Sequence, residues 1–314
     1  MKVIIQIPSF NESDQLPATL AALPRSLPGI TTVEWLVIDD GSHDDTAEVA
    51  HASGADAVLR LPTHQGLARA FVAGLEASLR RGADIVVNTD ADNQYEAADI
   101  AALIAPIMDR GADLVVGSRP IDTIEHFSAA KKWLQRFGSR AVRWLSGVEV
   151  DDATSGFRAY SRNAALTLDV FSNYTYTLET IIQAGQSGLT VTSVPVRVNA
   201  QTRPSRLARN SAHYVWRAML TIVRAFVIYR PFRFFIVPAV VATTLGTLIA
   251  LRFLYYFLTE PSAGHVQSLI LAAILILGGA LTAAVGLVAD LLSVNRRLLQ
   301  RMQTHARRLA WVKP

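Results

Sequence analysis

Short apolar runs alternate with more polar segments along the first two hundred residues. Five of these runs are rich in Val, Ile and Leu and have the length of buried strands: residues 3–7, 33–38, 57–61, 85–88 and 114–117. The segments between them are predicted to be helices, the clearest being Leu67 to Arg81, which is rich in Ala and Leu. Strands and helices that alternate at this spacing predict an α/β fold with a mostly parallel sheet and helices on both faces.

The pattern changes after the fifth strand. Residues 123–147 are predicted to be helical, with basic side chains on a mixed apolar frame. A turn at residues 151–157 leads into a short strand, and a helix from Tyr174 to Ala184 and a strand from Val191 to Val198 complete the α/β part. We therefore place the first domain at residues 1–202.

The last third carries two much longer apolar runs. One extends from about residue 232 to 258 and the other from about 266 to 292, and each exceeds the ~20 residues that cross a bilayer core. Residues 203–231, just before them, combine aromatic, apolar and basic side chains, which favours an amphipathic helix in the membrane interface. We predict a juxtamembrane segment followed by a hairpin of two transmembrane helices.

Charge is divided unevenly between these parts. Residues 1–202 carry 16 Lys and Arg against 24 Asp and Glu, whereas residues 203–314 carry 14 against 2. The basic residues crowd both outer flanks of the hairpin and are absent from the turn within it. The positive-inside rule then predicts that the first domain, the basic tail at residues 293–314 and both termini are cytoplasmic. The expected location is the inner (plasma) membrane, and nucleic acid is not an expected partner.

Composition adds two constraints. The apolar fraction of 51% is high for a soluble enzyme, and the chain has no Cys, which excludes disulfides and thiolate chemistry and suits a reducing compartment. Met1 and Lys2 lead directly into the first strand, so no signal peptide is expected.

Polar side chains follow the predicted strands at the points where they end. In an open parallel sheet, ligands bind beyond the carboxyl ends of the strands. The side chains at these ends are Asn11, Asp39, Asp40, Asp90, Asp92 and Arg119. Their convergence on one edge predicts a ligand site there.

The clearest chemistry is the Asp90-Ala91-Asp92 motif at the end of the fourth strand. Residues i and i+2 of an extended segment point to the same side, so both carboxylates can close on one ligand. Paired hard oxygen ligands suit Mg²⁺ or Mn²⁺, with phosphate oxygens completing the coordination. We predict a divalent metal site at this position.

The motifs together resemble those of the family-2 inverting glycosyltransferases of GT-A fold. Within that family the chain is similar to the polyisoprenyl-phosphate glycosyltransferases, relatives of dolichyl-phosphate mannose synthase with two C-terminal membrane helices. The resemblance covers most of the chain and is carried by Pro8-Ser9-Phe10-Asn11-Glu12, Asp39-Asp40-Gly41-Ser42, Asp90-Ala91-Asp92 with Gln94, Gly117-Ser118-Arg119, Ser155-Gly156-Phe157-Arg158 and Arg203-Pro204-Ser205-Arg206. Each motif is weak alone, but their order ahead of a membrane hairpin is strongly specific.

The resemblance implies three groups of site residues. The nucleotide pocket would be lined by Pro8, Asn11, Glu12, Asp39, Asp40, Asp90 and Ala91. The metal would be held by Asp90 and Asp92 with Gln94, and the acceptor phosphate by Arg119, Arg136, Ser139, Arg158 and Arg206. Asp152 matches an acidic residue before Ser-Gly-Phe-Arg, and the catalytic group would be Asp90, Asp92, Asp152 and Arg119.

Two elements depart from the family pattern. Relatives usually have Asn-x-Gly-Lys where this chain has His64-Gln65-Gly66-Leu67, and Arg69 is a candidate replacement for the Lys. The element before the membrane usually carries Gly and ends in Ser-Lys, whereas here it ends in Ser205-Arg206. Arg preserves the charge of Lys but changes the geometry of its contact with a phosphate.

The activity that the resemblance implies is transfer of a sugar, with inversion, from a nucleotide-sugar to polyprenyl (undecaprenyl or dolichyl) phosphate. A UDP-sugar is favoured over GDP-mannose on family analogy alone. A phosphate acceptor is already ionised at neutral pH and scarcely needs a general base, so Asp152 is expected to orient other groups or stabilise charge, and a base role is kept as a hypothesis. Relatives also form assemblies, which makes a homo-oligomer a further expectation. The sugar, the nucleotide and the lipid chain length stay open.

Each alternative function would require motifs or membrane helices that can be looked for in the sequence. A processive polysaccharide synthase usually has more membrane helices and a Gln-x-x-Arg-Trp motif, and the sequence has neither. A non-catalytic membrane adaptor is disfavoured by the intact Asp90/Asp92 pair and by Arg119 and Arg158. A soluble dehydrogenase needs G-x-G-x-x-G after the first strand, where residues 8–12 stand instead. A transferase that acts on another membrane or polysaccharide acceptor stays open.

Overall fold

The computed structural model of the protein describes residues 1–120, 139–140, 142–144, 146–170, 176–199, 220, 223–224, 227–259 and 266–311. The chain divides into two compact units. The first comprises Met1–Ala218 and Arg301–Pro314, and the second comprises Met219–Gln300. Most of the predicted helix at residues 123–147 and the whole of the predicted juxtamembrane segment up to residue 219 lie outside the described residues.

A seven-stranded sheet forms the centre of the first unit. Its strands are β1 (Lys2–Ser9), β2 (Thr32–Asp39), β3 (Ala57–Arg60), β4 (Ile85–Asn88), β5 (Leu114–Ser118), β6 (Arg158–Ser161) and β7 (Val191–Pro195). The spatial order is β3-β2-β1-β4-β6-β5-β7, and β6 runs antiparallel to β4 and β5 while the other pairs are parallel. The predicted α/β fold with a mostly parallel sheet is therefore confirmed, with one reversed strand.

Six α-helices of the first unit whose two ends lie within the described residues accompany this sheet. They are α1 (Leu16–Ala22), α2 (Thr46–Ala52), α3 (Leu67–Arg80), α4 (Ile100–Arg110), α5 (Arg162–Thr167) and α6 (Thr177–Gln186). The apolar side chains of β1 and β4 are fully buried, which accounts for the continuous apolar runs in their sequences. Gly74 lets α3 lie directly on β1 and β2, because a Cβ there would come within 2.6 Å of Gln6 and 2.8 Å of Ile38.

Parallel pairing brings the ends of three strands to one edge of the sheet. Ser9 at the end of β1 pairs with Asp39 at the end of β2, and Gln6 pairs with Asn88 at the end of β4. Because β6 is reversed, it begins at this same edge, with Arg158 opposite Asn88. The motifs that follow β1, β2 and β4 and the one that precedes β6 therefore meet.

Two long helices form most of the second unit. They are α7 (Pro231–Thr259) and α8 (Val266–Trp311), and both are long and apolar enough to cross a membrane. Small residues bring them together: a Cβ at Gly246 would lie 2.9 Å from the Ala272 carbonyl oxygen, and one at Gly279 would lie 2.9 Å from that of Ala239. The two helices cover the predicted spans.

Helix α8 does not end with its apolar part. The tail predicted from residue 293 continues the helix to Trp311, and residues 293–311 contain neither Gly nor Pro to interrupt it. The end of α8 belongs to the first unit. There, Arg307 lies 3.3 Å from a Glu76 carboxylate oxygen of α3 and 3.8 Å from one of Asp169, and Arg308 donates to Asn163 Oδ1 of α5 at 2.6 Å.

Candidate active site

A buried amide at the end of β4 anchors the Asp90–Asp92 turn. Asn88 accepts a hydrogen bond from Gln6 Nε2 at 2.9 Å. Its own Nδ2 donates to the Gly156 carbonyl oxygen at 2.9 Å and to Tyr176 Oη at 2.8 Å. These bonds tie β4 to the loop before β6 and fix the point from which the turn starts.

The Asp90 carboxyl group lies in a poorly solvated position beside other acidic groups. The pKa of Asp90 is raised to about 7, first by desolvation and then by the negative charge of Asp92. The positive charges of Arg119 and Arg158 lower the pKa, and Glu12 raises it further. The net rise shows that burial and repulsion by Asp92 and Glu12 together outweigh the stabilisation of the Asp90 carboxylate by Arg119 and Arg158.

The residues of this turn fit a divalent metal site in which the protein supplies some of the oxygen ligands and the substrate supplies others. Asp92 and Gln94 are partly exposed, and Asp92 Oδ1 accepts a 3.2 Å hydrogen bond from the Gln94 N–H across the left-handed Asn93 (φ 53°). Within the described ranges, no group of three His, Cys, Asp or Glu could hold a metal alone. Asp90 and Asp92 would therefore hold a cation together with ligand or water oxygens, as Mg²⁺ sites commonly do. Such a cation would offset the repulsion between the two carboxylates.

Four of the predicted nucleotide residues are buried: Pro8, Asp39, Asp40 and Ala91. Asp39 Oδ1 accepts a hydrogen bond from the Ser42 N–H at 2.9 Å, and the Ala91 carbonyl oxygen accepts one from Thr19 Oγ1 at 2.7 Å. These bonds fix the loops after β2 and β4 at the sheet edge, and the contacts of these residues with a nucleotide stay predictions.

Asn11 and Glu12 join the loops that follow β1 and β2. The Asn11 N–H donates to Ser42 Oγ at 2.9 Å, and its Oδ1 accepts from the His43 N–H at 2.9 Å, with φ of 52° at Asn11. The Glu12 N–H donates to Thr46 Oγ1 at 3.0 Å. Both residues are partly exposed, so they remain on the surface of the joined loops.

Asp40 is buried and holds the loop after β3. Its oxygens accept hydrogen bonds from the backbone N–H groups of Gln65 and Gly66, each at 2.8 Å, and its Oδ2 lies 2.8 Å from His64 Nδ1. The imidazole ring of His64 stacks on the Phe10 ring, with centroids 3.8 Å apart. Neither Phe10 nor His64 is among the predicted site residues, and the unusual loop sequence at His64 is the signal that could have identified it.

An ion pair joins the end of β5 to the loop before β6. Arg119 Nε donates to Asp152 Oδ2 at 2.6 Å and its Nη2 to Oδ1 at 3.1 Å, and Nη2 also donates to Thr154 Oγ1 at 2.9 Å. Desolvation alone would raise the pKa of Asp152, but the Arg119 charge and the hydrogen bonds from Arg119 and Thr154 lower it below its usual value. This geometry favours orientation of Arg119 by Asp152 over proton abstraction.

The position of Arg158 does not fit its predicted contact with the acceptor phosphate. Its side chain is completely buried. Its hydrogen bonds go to Ser155 O at 2.8 Å, Thr177 O at 2.7 Å, Thr180 Oγ1 at 2.8 Å and Ala153 O at 2.8 Å. A guanidinium enclosed in this way fastens the loop before β6 to α6, so we correct its assignment from ligand contact to structural support.

The remaining predicted phosphate contacts have different outcomes. Ser139 is buried, and its Oγ accepts a 3.3 Å hydrogen bond from the Ala153 N–H, so it too supports the loop before β6. Arg136 and Arg206 lie outside the described residues, and their contacts stay predictions. Arg119 is the one member of the predicted phosphate group that the described structure brings to the sheet edge beside Asp152.

Comparison with known proteins identifies relatives. The family described as Glycosyl transferase family 2 matches residues 4–168, more than half of the chain. An undecaprenyl-phosphate mannosyltransferase of Micrococcus luteus is 32% identical over 206 residues, which are 62% of this chain and 83% of that protein. Glycosyltransferase AglJ of Haloferax volcanii is 26% identical over 307 residues, which are 96% of this chain and 97% of that protein.

Solved structures agree on the fold. A glucosyl-3-phosphoglycerate synthase from Mycobacterium tuberculosis, crystallised with Mn²⁺, uridine diphosphate and phosphoglyceric acid, matches with a TM-score of 0.56 and 22% identity. The match covers 71% of this chain and 78% of that one. At this identity, the similarity establishes a shared fold.

Proposed function

The chain belongs to glycosyl transferase family 2, and from that premise we propose that it transfers a sugar from a nucleotide-sugar to the phosphate of a polyprenyl lipid at a membrane surface. The observation that carries the proposal is the Asp90–Asp92 turn and the Arg119–Asp152 pair in a chain with two helices long enough to cross a membrane. The acceptor class is supported by the Micrococcus luteus relative, whose name specifies undecaprenyl phosphate.

We assign the donor diphosphate to the Asp90–Asp92 turn. A bound Mg²⁺ or Mn²⁺ would neutralise the charge that develops on the departing diphosphate. Asp90 and Asp92 would hold this ion, with Gln94 beside them. The proposal is supported by the repulsion between Asp90 and Asp92, which contributes to the raised pKa of Asp90, and by the solved protein of the same fold that contains Mn²⁺ and uridine diphosphate.

We assign positioning of the acceptor phosphate to Arg119. Asp152 and Thr154 hold its guanidinium so closely that only 9% of the side chain is exposed. A cation held in one orientation can steer an attacking phosphate oxygen, and sharing its donors with Asp152 limits how tightly it binds that oxygen. The phosphate is ionised at neutral pH, so this arrangement needs no general base from Asp152.

The membrane location belongs to the same proposal. Helices α7 and α8 would span the inner (plasma) membrane, with the first unit and both termini on the cytoplasmic side, as the basic flanks of the apolar runs favour. A polyprenyl phosphate keeps its headgroup at the membrane interface, where basic side chains favour anionic groups. The expected homo-oligomer stays a prediction.

The experiment is a donor screen on the full chain purified in detergent. Undecaprenyl phosphate, Mn²⁺ or Mg²⁺ and radiolabelled UDP-sugars or GDP-mannose are combined, and chloroform-soluble label is counted. We expect one donor to give a metal-dependent glycolipid, and Asp92→Asn to reduce its formation at least a hundredfold. Asp109→Asn, which changes an exposed carboxylate at the end of α4, is the matched control and should retain full activity.

Two results would contradict the proposal in different ways. Label that enters a water-soluble product while none enters lipid would assign the transferase to another acceptor. The absence of any metal-dependent turnover with every donor, from folded protein, would favour a non-catalytic adaptor. A glycolipid formed equally well by Asp92→Asn would refute the assigned role of the turn.

A further inference from the structure

The Phe10–His64 stack lies where a nucleotide base would reach from the diphosphate turn. Phe10 follows β1, and His64 follows β3, which is the outermost strand on that side of the sheet. The strands from β4 to β3 are adjacent in the order β4-β1-β2-β3, so their ends are separated by three steps of about 4.8 Å, roughly 14 Å in all. That separation is comparable to the extent of a nucleoside diphosphate from its terminal phosphate to its base.

Asp40, which family resemblance assigns to the nucleotide pocket, has most of its hydrogen-bonding capacity occupied. Two backbone N–H groups of the loop after β3 and Nδ1 of His64 lie within 2.8 Å of its two oxygens, and its side chain is only 3% exposed. An ionised carboxylate offers about four acceptor positions, so three are used within the protein. Asp40 therefore presents His64 at this edge instead of presenting its own carboxylate.

The backbone fixes the position of His64 independently of its side chain. Gly41 has φ of +68°, and a Cβ there would lie 2.5 Å from the Thr63 carbonyl carbon and 2.6 Å from the His64 nitrogen. The loop after β2 and the loop after β3 therefore touch backbone to backbone. Replacing the His64 side chain would leave this contact and the two backbone hydrogen bonds to Asp40 in place.

The imidazole ring has one supported face and one open face. Its centroid lies 3.8 Å from that of Phe10 at an angle of 26°, so one face is covered, and the Nδ1 edge is turned to Asp40. The side chain is nevertheless 50% exposed, and these two contacts leave the opposite face and the Nε2 edge of the ring for a ligand. A flat ring that is held on one face and one edge loses little conformational entropy when a second ring stacks on it.

We propose that His64 is the stacking platform for the base of the donor nucleotide, supported by Phe10 and oriented by Asp40. The inference rests on the proposed nucleotide-sugar donor and adds a residue and a chemistry to it. Stacking on a π face tolerates different bases, so the platform would serve a uracil or a guanine base, and the selection between them would lie in other contacts.

The test is nucleotide binding to the full chain in detergent, measured by isothermal titration calorimetry with Mn²⁺ and UDP, GDP or inorganic pyrophosphate. His64→Ala should raise the Kd of whichever nucleotide binds by about tenfold or more, and should leave the Kd of pyrophosphate within about twofold. His64→Phe keeps a flat ring and should stay within about threefold of the natural protein for both ligands. His43→Ala is the matched control, because His43 meets Phe10 only edge-on, at 6.2 Å, and should change neither Kd by more than about twofold.

The outcomes separate the inference from the function on which it rests. Unchanged nucleotide affinity in folded His64→Ala would overturn the platform while leaving the donor class intact. An equal loss of nucleotide and pyrophosphate affinity would overturn it as well, because the side chain would then only stabilise the loop. Natural protein that binds pyrophosphate but neither nucleotide would refute the donor class itself, and the platform with it.

Discussion

The substitution Arg158→Lys distinguishes a structural arginine from one that binds the acceptor phosphate. Arg158 is completely buried, and its guanidinium makes four hydrogen bonds, three of them to main-chain carbonyl oxygens. A lysine keeps the charge but has one nitrogen where the guanidinium has three. It cannot reach the carbonyl oxygens of Ala153, Ser155 and Thr177 together, so at least two acceptors lose their donor.

The expected magnitude follows from those lost bonds. Hydrogen bonds to charged groups contribute about 1.5–3 kcal/mol each, and removing one partner of a buried charged contact costs about 3–5 kcal/mol. We therefore expect Arg158→Lys to lower the free energy of unfolding by about 3–5 kcal/mol. For a unit of roughly two hundred residues, this lowers the melting temperature by about 10 °C.

Two measurements on the same preparation test this expectation. Thermal unfolding is followed by circular dichroism in detergent, and initial rates are measured against acceptor concentration well below the melting temperature. Arg158→Lys should melt about 10 °C lower while its KM for the acceptor stays within about twofold. Arg162→Lys is the control, because Arg162 is partly exposed and donates a single part-buried hydrogen bond to the Ala83 carbonyl oxygen, and it should melt within about 3 °C of the natural protein. An unchanged melting temperature with a tenfold higher KM would refute this reasoning and restore the phosphate contact.

Three further substitutions test single contacts. Gly156→Ala places a Cβ 3.0 Å from an Asp90 carboxylate oxygen, so we expect at least tenfold lower metal-dependent turnover with unchanged circular dichroism, and natural turnover would show that this carboxyl moves without cost. Asp152→Asn leaves the Arg119 cation unpaired, so we expect about 3 kcal/mol less stability and lower turnover. Since its pKa is lowered, Asp152 stays ionised throughout the range from about pH 5 to 8, so the turnover profile there should keep its shape, and loss of one limb would support a base role. Arg307→Ala should speed hydrogen exchange in residues 301–311 and cost less than ~1 kcal/mol, because its ion pairs are partly exposed; unchanged exchange would mean that other contacts hold the end of α8.

The sheet and its functional edge are the features that the sequence predicts best. Apolar runs of four to eight residues mark the buried strands, and the carboxyl ends of parallel strands must share an edge. The sequence therefore predicts that Asn11 and Asp90 lie close together in space. The reversal of β6 could not. Residues 158–161 are a short apolar and polar mixture whose direction depends on the connection through residues 121–157, and no local pattern encodes that.

The end of α8 shows a different limit. Hydropathy locates the apolar part of a helix, but it does not predict where the helix ends beyond that part. The charge of the basic residues after 292 predicts only a tail. These residues favour helix, so α8 continues through them to Trp311. Arg307 then lies 3.3 Å from Glu76, a partner 231 residues earlier that no sequence pattern links to it.

Charged site residues show why motif and role can separate. A motif specifies which side chain stands at a strand end, and the number of hydrogen bonds that side chain can make is fixed by its chemistry. A donor or acceptor that bonds within the protein is not available to a ligand. Arg158 donates to the loop before β6, and Asp40 accepts from the loop after β3. Both residues therefore stand in the motif, but most of their hydrogen-bonding groups are occupied within the protein. Asp90 is the opposite case. Burial and the neighbouring Asp92 raise its pKa to about 7 although Arg119 and Arg158 act in the other direction, and a carboxyl group perturbed in this way at a strand end is a candidate for contact with a ligand.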